Sequence, residues 1–388
     1  MTDTRTTANG RPLIRGAEST IREISQQPDV WRETAAIVEQ HRTEVDAFLA
    51  PLLARPDLRI VLTGAGTSAF VGGVAAPALT RRLGRRFDAV ATTDIVSNPT
   101  DYFAEDVPTL LVSFARSGNS PESVAATRLA DQVLTDVHHL VITCDPAGRL
   151  HREHQDRPES LVVLMASRAN DAGFAMTSSF TSMLLSALLI FGGENTPAVE
   201  ALAISTEAVI ADGWDRLERV AAEDYRRIVY LGSGPLTALA REAALKLLEL
   251  TAGAVVSSYD SPLGFRHGPK AVLDEQTLVV TFVSSDPYTR AYDLDMVEEL
   301  RTLAPERVLA VGARHPEDPS AVVLQQVDEL SDAFLAVAYI VIAQILALSF
   351  ALRVGTTPDN PFPSGSVNRV VKGVQIHPLA QPGEGAPA

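Results

Sequence analysis

Cysteine is almost missing: the 388 residues include one, Cys144. A lone thiol forms no internal disulfide and suits a reducing compartment, so a cytoplasmic location is the expectation. It ends the apolar run in HHLVITCDP, where packing at a strand end fits better than a nucleophilic role. Positive charge is also scarce. Lys and Arg number 33 against 48 Asp and Glu, a formal net charge of −15, and no long basic run offsets it. That balance argues against a nucleic-acid partner. It does not exclude a phosphorylated small molecule, because backbone N–H groups and hydroxyls at helix N-termini hold anions without net positive charge. The opening stretch MTDTRTTANGRPLIRG has no apolar core of the kind a secretion signal needs, so no signal peptide is expected.

Apolar residues are plentiful, at 46% of a chain long enough for two ordinary domains. One run, AFLAVAYIVIAQILALSFAL at 333–352, has the length to span a bilayer. Tyr339, Gln344 and Ser349 interrupt it, and its flanks show no clear positive bias. A helix buried on all sides of a soluble protein, for instance at a subunit interface, is the expectation, with no membrane partner.

The chain repeats itself. RIVLTGAG from Arg59 matches RIVYLGSG from Arg227, TLLVSFARS from Thr109 matches TLVVTFVSS from Thr277, and HLVITCD from His139 matches RVLAVGA from Arg307; the offset is 168 each time. A fourth pair, LVVLM and AVVLQ, follows at a slightly shorter spacing. Three pairs in one register point to a duplicated unit. Each copy alternates short β-branched runs with helical patterns, which predicts a doubly wound α/β unit with a parallel sheet flanked by helices. Ahead of the copies, DVWRETAAIVEQHRTEVDAFLAPLL reads as one helix closed by Pro51 and Pro56. The expected organisation is an N-terminal helical segment over 1–55, a first α/β domain over 56–212, and a second over 213–388 that includes an irregular Pro/Gly-rich tail.

LTGAGTSAF invites a dinucleotide-binding reading and fails it. Gly64 and Gly66 are present, but Ala69 stands where the third glycine belongs, and no acidic residue follows at the expected distance on a clear second strand. The stretch instead puts Thr67 and Ser68 at a helix start. SFARSGNSPES repeats the theme with Ser113, Ser117 and Ser120, the last followed by Pro121 as an N-cap and first-turn pair. Such loops at the ends of successive strands predict a shared anion cradle, though either alone reads as caps and turns. In REAALKLLELTAG, Glu242, Lys246 and Glu249 fall on one helical face, as a solvated ion-pair ladder or as part of a site. SPLGFRHGPK follows, with His267 in a turn that no helix face explains. His151 and His154 of HREH have a spacing that suits a metal but no evident third ligand, and loop solvation is the expectation there.

GAGTSAF, SFARSGNSPES, REAALKLLELTAG and FRHGP together resemble tandem sugar isomerase (SIS) domains, the arrangement in the isomerase half of glucosamine-6-phosphate synthase. With GFAMTSS, FVSSDPYTR and SGSVNRVVKGVQIHP added, the chain is most similar to the galactosamine-6-phosphate deaminase/isomerase group, from about residue 20 to 378. The resemblance implies that Gly66, Thr67, Ser68, Arg116, Ser117, Gly118, Ser120 and Ala175 contact a sugar phosphate. Arg116 and Ala115 depart from the glutamine and serine of the synthase pattern. The resemblance further implies that Glu249 shuttles a proton, that Lys246 assists one turn before it, and that His267 opens the sugar ring. In the synthase arrangement that histidine comes from a neighbouring subunit, which implies a homodimer or higher assembly. Lys372 lies near the family's tail lysine, with one extra residue between it and Asn368. The synthase's glutaminase has a cysteine after the initiator methionine, whereas Thr2 stands here, so ammonia release rather than glutamine-dependent synthesis is implied. The expected activity is galactosamine 6-phosphate plus water to tagatose 6-phosphate plus ammonia, with no metal or redox cofactor. A sugar-phosphate isomerase that releases no ammonia is the alternative. A non-catalytic sugar-phosphate sensor is a third reading, weakened by the lack of a basic recognition helix.

Overall fold

A computed structural model describes residues 6–7, 10–193, 196–313 and 320–380. Part of the opening stretch read for a signal and the last eight residues of the tail lie outside them.

Two five-stranded parallel sheets form the frame. The first is built from β1 (Arg59–Thr63), β2 (Phe87–Ala89), β3 (Thr109–Ala115), β4 (Val137–Thr143) and β5 (Ser160–Leu164), in the order β2-β1-β3-β4-β5. The second uses β6 (Arg227–Gly232), β7 (Val256–Asp260), β8 (Thr277–Phe282), β9 (Val308–Gly312) and β10 (Val322–Val323), in the order β10-β9-β8-β6-β7. Read from β7, the second order is the first repeated. The 168-residue offset carries β1 onto β6, β3 onto β8 and β4 onto β9. Central strands β3 and β8 are buried along their whole length, as sheets covered on both faces require.

The turn after the first strand of each copy has the same backbone. Gly66 and Gly234 both take φ +56°, a left-handed value that disfavours a side chain, and each caps the helix that follows. Those helices, Thr67–Leu83 and Pro235–Leu250, pack against each other and join the two halves. Their approach is close: a Cβ on Gly73 would lie 2.9 Å from Ala238 Cβ. Without that glycine the pair would have to spread, and the residues facing each other farther along would separate.

The apolar run at 333–352 lies within the helix Asp332–Val354, the one described helix long and apolar enough to cross a membrane; most of it is buried in the protein. It packs on Pro235–Leu250, Trp214–Ala222, Thr67–Leu83 and Ser178–Gly192, so it touches both halves. Its interruptions have partners inside: Gln344 Oε1 accepts from Gln27 Nε2 at 2.7 Å, and Tyr339 donates to the Val283 carbonyl at 3.4 Å. Each fully buried large aliphatic or phenylalanine side chain contributes roughly 1.5–3 kcal/mol, so this helix is a major part of a core that runs through both sheets.

Two expectations need correction. The N-terminal segment is not one helix. It divides into Glu18–Ser25, Gln27–Gln40 and Arg42–Leu53, with Pro51 inside the last turn rather than closing it. An acidic second strand also exists: β2 carries Asp88. It is short, and Asp88 is engaged by Arg59 at 3.1 Å and Arg86 at 2.6 Å.

Candidate active site

A cavity of about 260 Å³ opens where both halves and the tail meet. The first copy supplies Gly66, Thr67 and Ser68 after β1, and Arg116, Ser117, Gly118 and Ser120 after β3. These are the carboxyl ends of neighbouring strands, where parallel α/β sheets bind ligands. Ser120 holds the N-cap position of the helix Pro121–Val133, yet its hydroxyl accepts nothing from that helix. Gly118 turns the loop at φ +61°. Phe174 and Met176 add an apolar wall, and Leu245 and Glu249 enter from the second copy.

The charged face of the helix Pro235–Leu250 is not a solvated ladder. Lys246 and Glu242 are both completely buried, and the Glu249 side chain is about a quarter exposed. Lys246 Nζ donates to Thr67 Oγ1 at 2.9 Å, forms a short ion pair with Glu249, and lies 3.5 Å from Glu242 Oε1. Burial pulls the lysine pKa down, but Glu242 and Glu249 outweigh that and hold it raised. Burial pushes the Glu242 carboxyl up to about 8, against the pull of Lys246.

Arg116 is buried and donates to the carbonyls of Phe174 at 3.2 Å and Arg369 at 2.9 Å. Burial first, and then the charge of Arg369, lowers its pKa. Val367, Asn368, Arg369 and Val371 of the tail line the opening. Of these only Asn368 was singled out from the sequence; the pattern NRVV offered a signal, because polar residues beside valines in an irregular tail mark a segment that touches something.

Four expected site residues stand apart from the cavity wall, the first being Lys246, which is buried behind Thr67 and Glu249. Ala175 is buried between Phe174 and Met176, and its neighbours rather than its own methyl reach the opening. Lys372 is exposed next to Val371. His267 is exposed in a turn whose N–H bonds back to Gly264 at 2.9 Å, with Gly268 at φ +123° after it. Arg266 and Lys270, on either side, both pair with Glu299 and pin the turn to the helix Pro287–Leu303.

The second copy has a smaller cavity, about 180 Å³, at the equivalent loops, with Ser233, Gly234, Pro235, Asp286 and Asp332 in its wall. Where Ser117 stands in the first, Ser285 donates its N–H at 2.7 Å and its hydroxyl at 3.0 Å to Asp332 Oδ1. Ser284 donates to the other oxygen at 2.5 Å. Pro235 and Leu236 replace Thr67 and Ser68. The chain's own carboxylate thus takes the donors that the first copy leaves beside its cavity.

Two other titratable features of the first copy lie outside the cavity wall. His154 is buried rather than solvated, and its ring lies 4.7 Å from that of His139, which pairs with Asp131 at 2.8 Å. Cys144 is buried at the end of β4, and burial pushes its thiol up, away from the reactive thiolate. Among the described residues no group of His, Cys, Asp or Glu is arranged to hold a metal ion.

Two parallel sheets of order 2-1-3-4-5, joined through packed helices beside a hydroxyl-lined cavity, place the chain among doubly wound α/β proteins. The SIS domain profile matches residues 52–191 and 223–310, and the chain belongs to that family. A Streptomyces coelicolor protein provisionally named a D-galactosamine-6-phosphate deaminase is 56% identical over 375 residues, covering 95% of this chain and 97% of its own. The D-galactosamine-6-phosphate deaminase of Escherichia coli is 47% identical over 363 residues, covering 92% and 94%. The crystal structure of tagatose-6-phosphate ketose/aldose isomerase from Escherichia coli superposes with a TM-score of 0.87 at 44% identity, over 94% of this chain and 97% of that one.

Proposed function

We propose that the chain is an enzyme that converts an amino sugar phosphate to a ketose phosphate and ammonia, with galactosamine 6-phosphate as substrate and tagatose 6-phosphate as product. The observation that carries this reading is the Thr67–Lys246–Glu249 chain at the edge of a cavity lined by serines and arginine. Glu249, a carboxylate able to transfer a proton, lines the same cavity as those hydroxyls, and the Lys246 ammonium is bonded behind it. The names of the relatives, which share over 40% identity along nearly the whole chain, support the same substrate.

The phosphate sits among Thr67, Ser68, Ser117 and Ser120, with Arg116 supplying charge. The sugar then extends toward Glu249. His267 moves a proton from the anomeric hydroxyl to the ring oxygen, and the ring opens. Because His267 is away from the cavity of its own chain, a second copy brings its His267 to this one, and the working unit is at least a dimer. Glu249 removes the C2 proton, and the electron pair forms the C1–C2 double bond of an enolamine. Lys246 stabilises negative charge developing on oxygen, and Lys372 joins it when the tail closes. Glu249 returns the proton to C1, leaving a ketimine at C2. Water adds there, and ammonia leaves as the C2 carbonyl forms.

The similarity to the Escherichia coli ketose/aldose isomerase favours a second reading, isomerisation without loss of nitrogen. Supplying galactosamine 6-phosphate and glucosamine 6-phosphate and measuring ammonia and ketose phosphate separates the two. Equimolar ammonia and tagatose 6-phosphate support deamination. Interconversion of neutral sugar phosphates, with no ammonia from either amino sugar, supports the second reading. Binding without turnover of either kind supports a sensor.

A further inference from the structure

We propose that Arg369, on the tail, pairs with Arg116 to clamp the substrate's phosphate, so that phosphate binding itself tightens the tail over the cavity. The inference rests on the sugar-phosphate reading and deepens it.

Both arginines line the cavity, Arg116 from below and Arg369 from its exposed rim. Their hydrogen bonds go to neutral main-chain carbonyls. Arg116 holds Phe174 O at 3.2 Å and Arg369 O at 2.9 Å, while Arg369 Nε holds Gly173 O at 3.1 Å and its Nη2 holds Asp171 O. These bonds close a ring: the loop after β3 grips the tail, and the tail grips the loop before the helix Ser178–Gly192. Neither guanidinium forms an ion pair among the described residues. The Asp171 carboxylate is taken up by Thr177, Ser178 and Ser179, and that of Glu249 by Lys246.

Two guanidiniums therefore line the same opening with no ion pair at contact distance among the described residues, Asp171 and Glu249 acting on Arg116 only from farther off, and each has N–H donors left over. A phosphomonoester carries about −1.5 to −2 charges near neutral pH, and the chain as a whole repels it with a net charge of −15. Serine and threonine hydroxyls position a phosphate but do not neutralise it. Lys246 is already paired with Glu249. The arginine pair is the cationic part of the wall, and like charges held together gain most from an anion placed between them. Bringing Arg369 down carries the tail with it, Lys372 included.

The test uses the full-length protein and inorganic phosphate, with calorimetry for affinity and hydrogen exchange for the tail amides. Wild type is expected to bind phosphate, and exchange over residues 366–372 is expected to slow when it does. Arg369→Gln should weaken binding by about 10- to 100-fold, the range for a charge-assisted hydrogen bond, and should abolish the slowing. Arg369→Lys should fall between, and circular dichroism confirms folding of both. A residue that only fastens the tail would loosen it without ligand while leaving phosphate affinity unchanged. Wild-type affinity in Arg369→Gln, no phosphate binding by wild type, or binding without any slowing of tail exchange would each overturn the clamp. Arg369-dependent phosphate binding by a protein that releases no ammonia would instead sink the proposed reaction and leave the clamp standing.

Discussion

Lys246 Nζ donates to Thr67 Oγ1 across 2.9 Å, a bond between residues 179 apart in sequence. The two residues belong to different copies of the repeat, so the site exists only when the copies are packed together. Gly73, which lets the two helices approach within reach of Ala238, is what makes the bond geometrically available. On the proposed reading, the first copy brings the anion cradle and the second brings the proton-transfer group.

Glu242 contributes to one limb of the pH dependence of stability, as does Glu23, whose pKa burial also raises to about 8. Burial lifts the Glu242 pKa from 4.5 to about 8 in the folded chain. The folded state therefore holds a proton that the unfolded state releases, and this contribution is full below pH 4.5 and fades as pH rises through about 8. Glu242→Gln, which mimics the neutral form, should lose less stability than wild type across that window. Urea midpoints at several pH values measure it; parallel curves for the two proteins would refute the assignment.

His154 sets the opposite limb. Burial, helped by the charges of His139 and Arg157, lowers its pKa from 6.5 to about 4. The unfolded chain takes up a proton that the folded one resists, so stability is intact above pH 6.5 and is lost as pH falls toward 4. His154→Gln should flatten the decline in melting temperature over that range. An unchanged slope would place the acid sensitivity elsewhere.

A shared site makes a complementation prediction. His267→Ala and Glu249→Gln dimers should each be nearly inactive, yet an equal mixture should recover about a quarter of wild-type activity, because about half of the exchanged dimers are mixed and each of those has one intact site of two. The check is ammonia release after exchange shown by mass spectrometry of differently tagged chains. No recovery in exchanged mixtures would mean that His267 serves its own subunit.

Much of this was legible in the sequence, and the parts that were not share a cause. The 168-residue register of the repeat follows from local patterns, β-branched runs and glycine turns, and those strands and turns lie where the pattern put them. The face carrying Glu242, Lys246 and Glu249 was also legible, but its burial was not, because helical spacing is the same for a solvated face and a hidden one. His154 was misread as a loop residue for the same reason: its burial comes from β4 and the packing of His139, a contact outside its own segment. Asp332 gave no signal as the occupant of the second cradle, since it lies 47 residues from Ser285. The single N-terminal helix was overdrawn because a break at His41 costs the apolar pattern nothing.

The most direct test of the central claim follows the C2 hydrogen. Galactosamine 6-phosphate labelled with deuterium at C2 is given to wild type and to Glu249→Gln, and ammonia and the label at C1 of the ketose are read together. Wild type should release ammonia and place part of the deuterium at C1, the rest being lost to water during transfer. Glu249→Gln should still bind tagatose 6-phosphate within a few-fold of wild type but turn over slower by about 10²- to 10⁴-fold, the usual contribution of a positioned proton-transfer group. Ammonia release by Glu249→Gln at close to the wild-type rate would contradict the assignment.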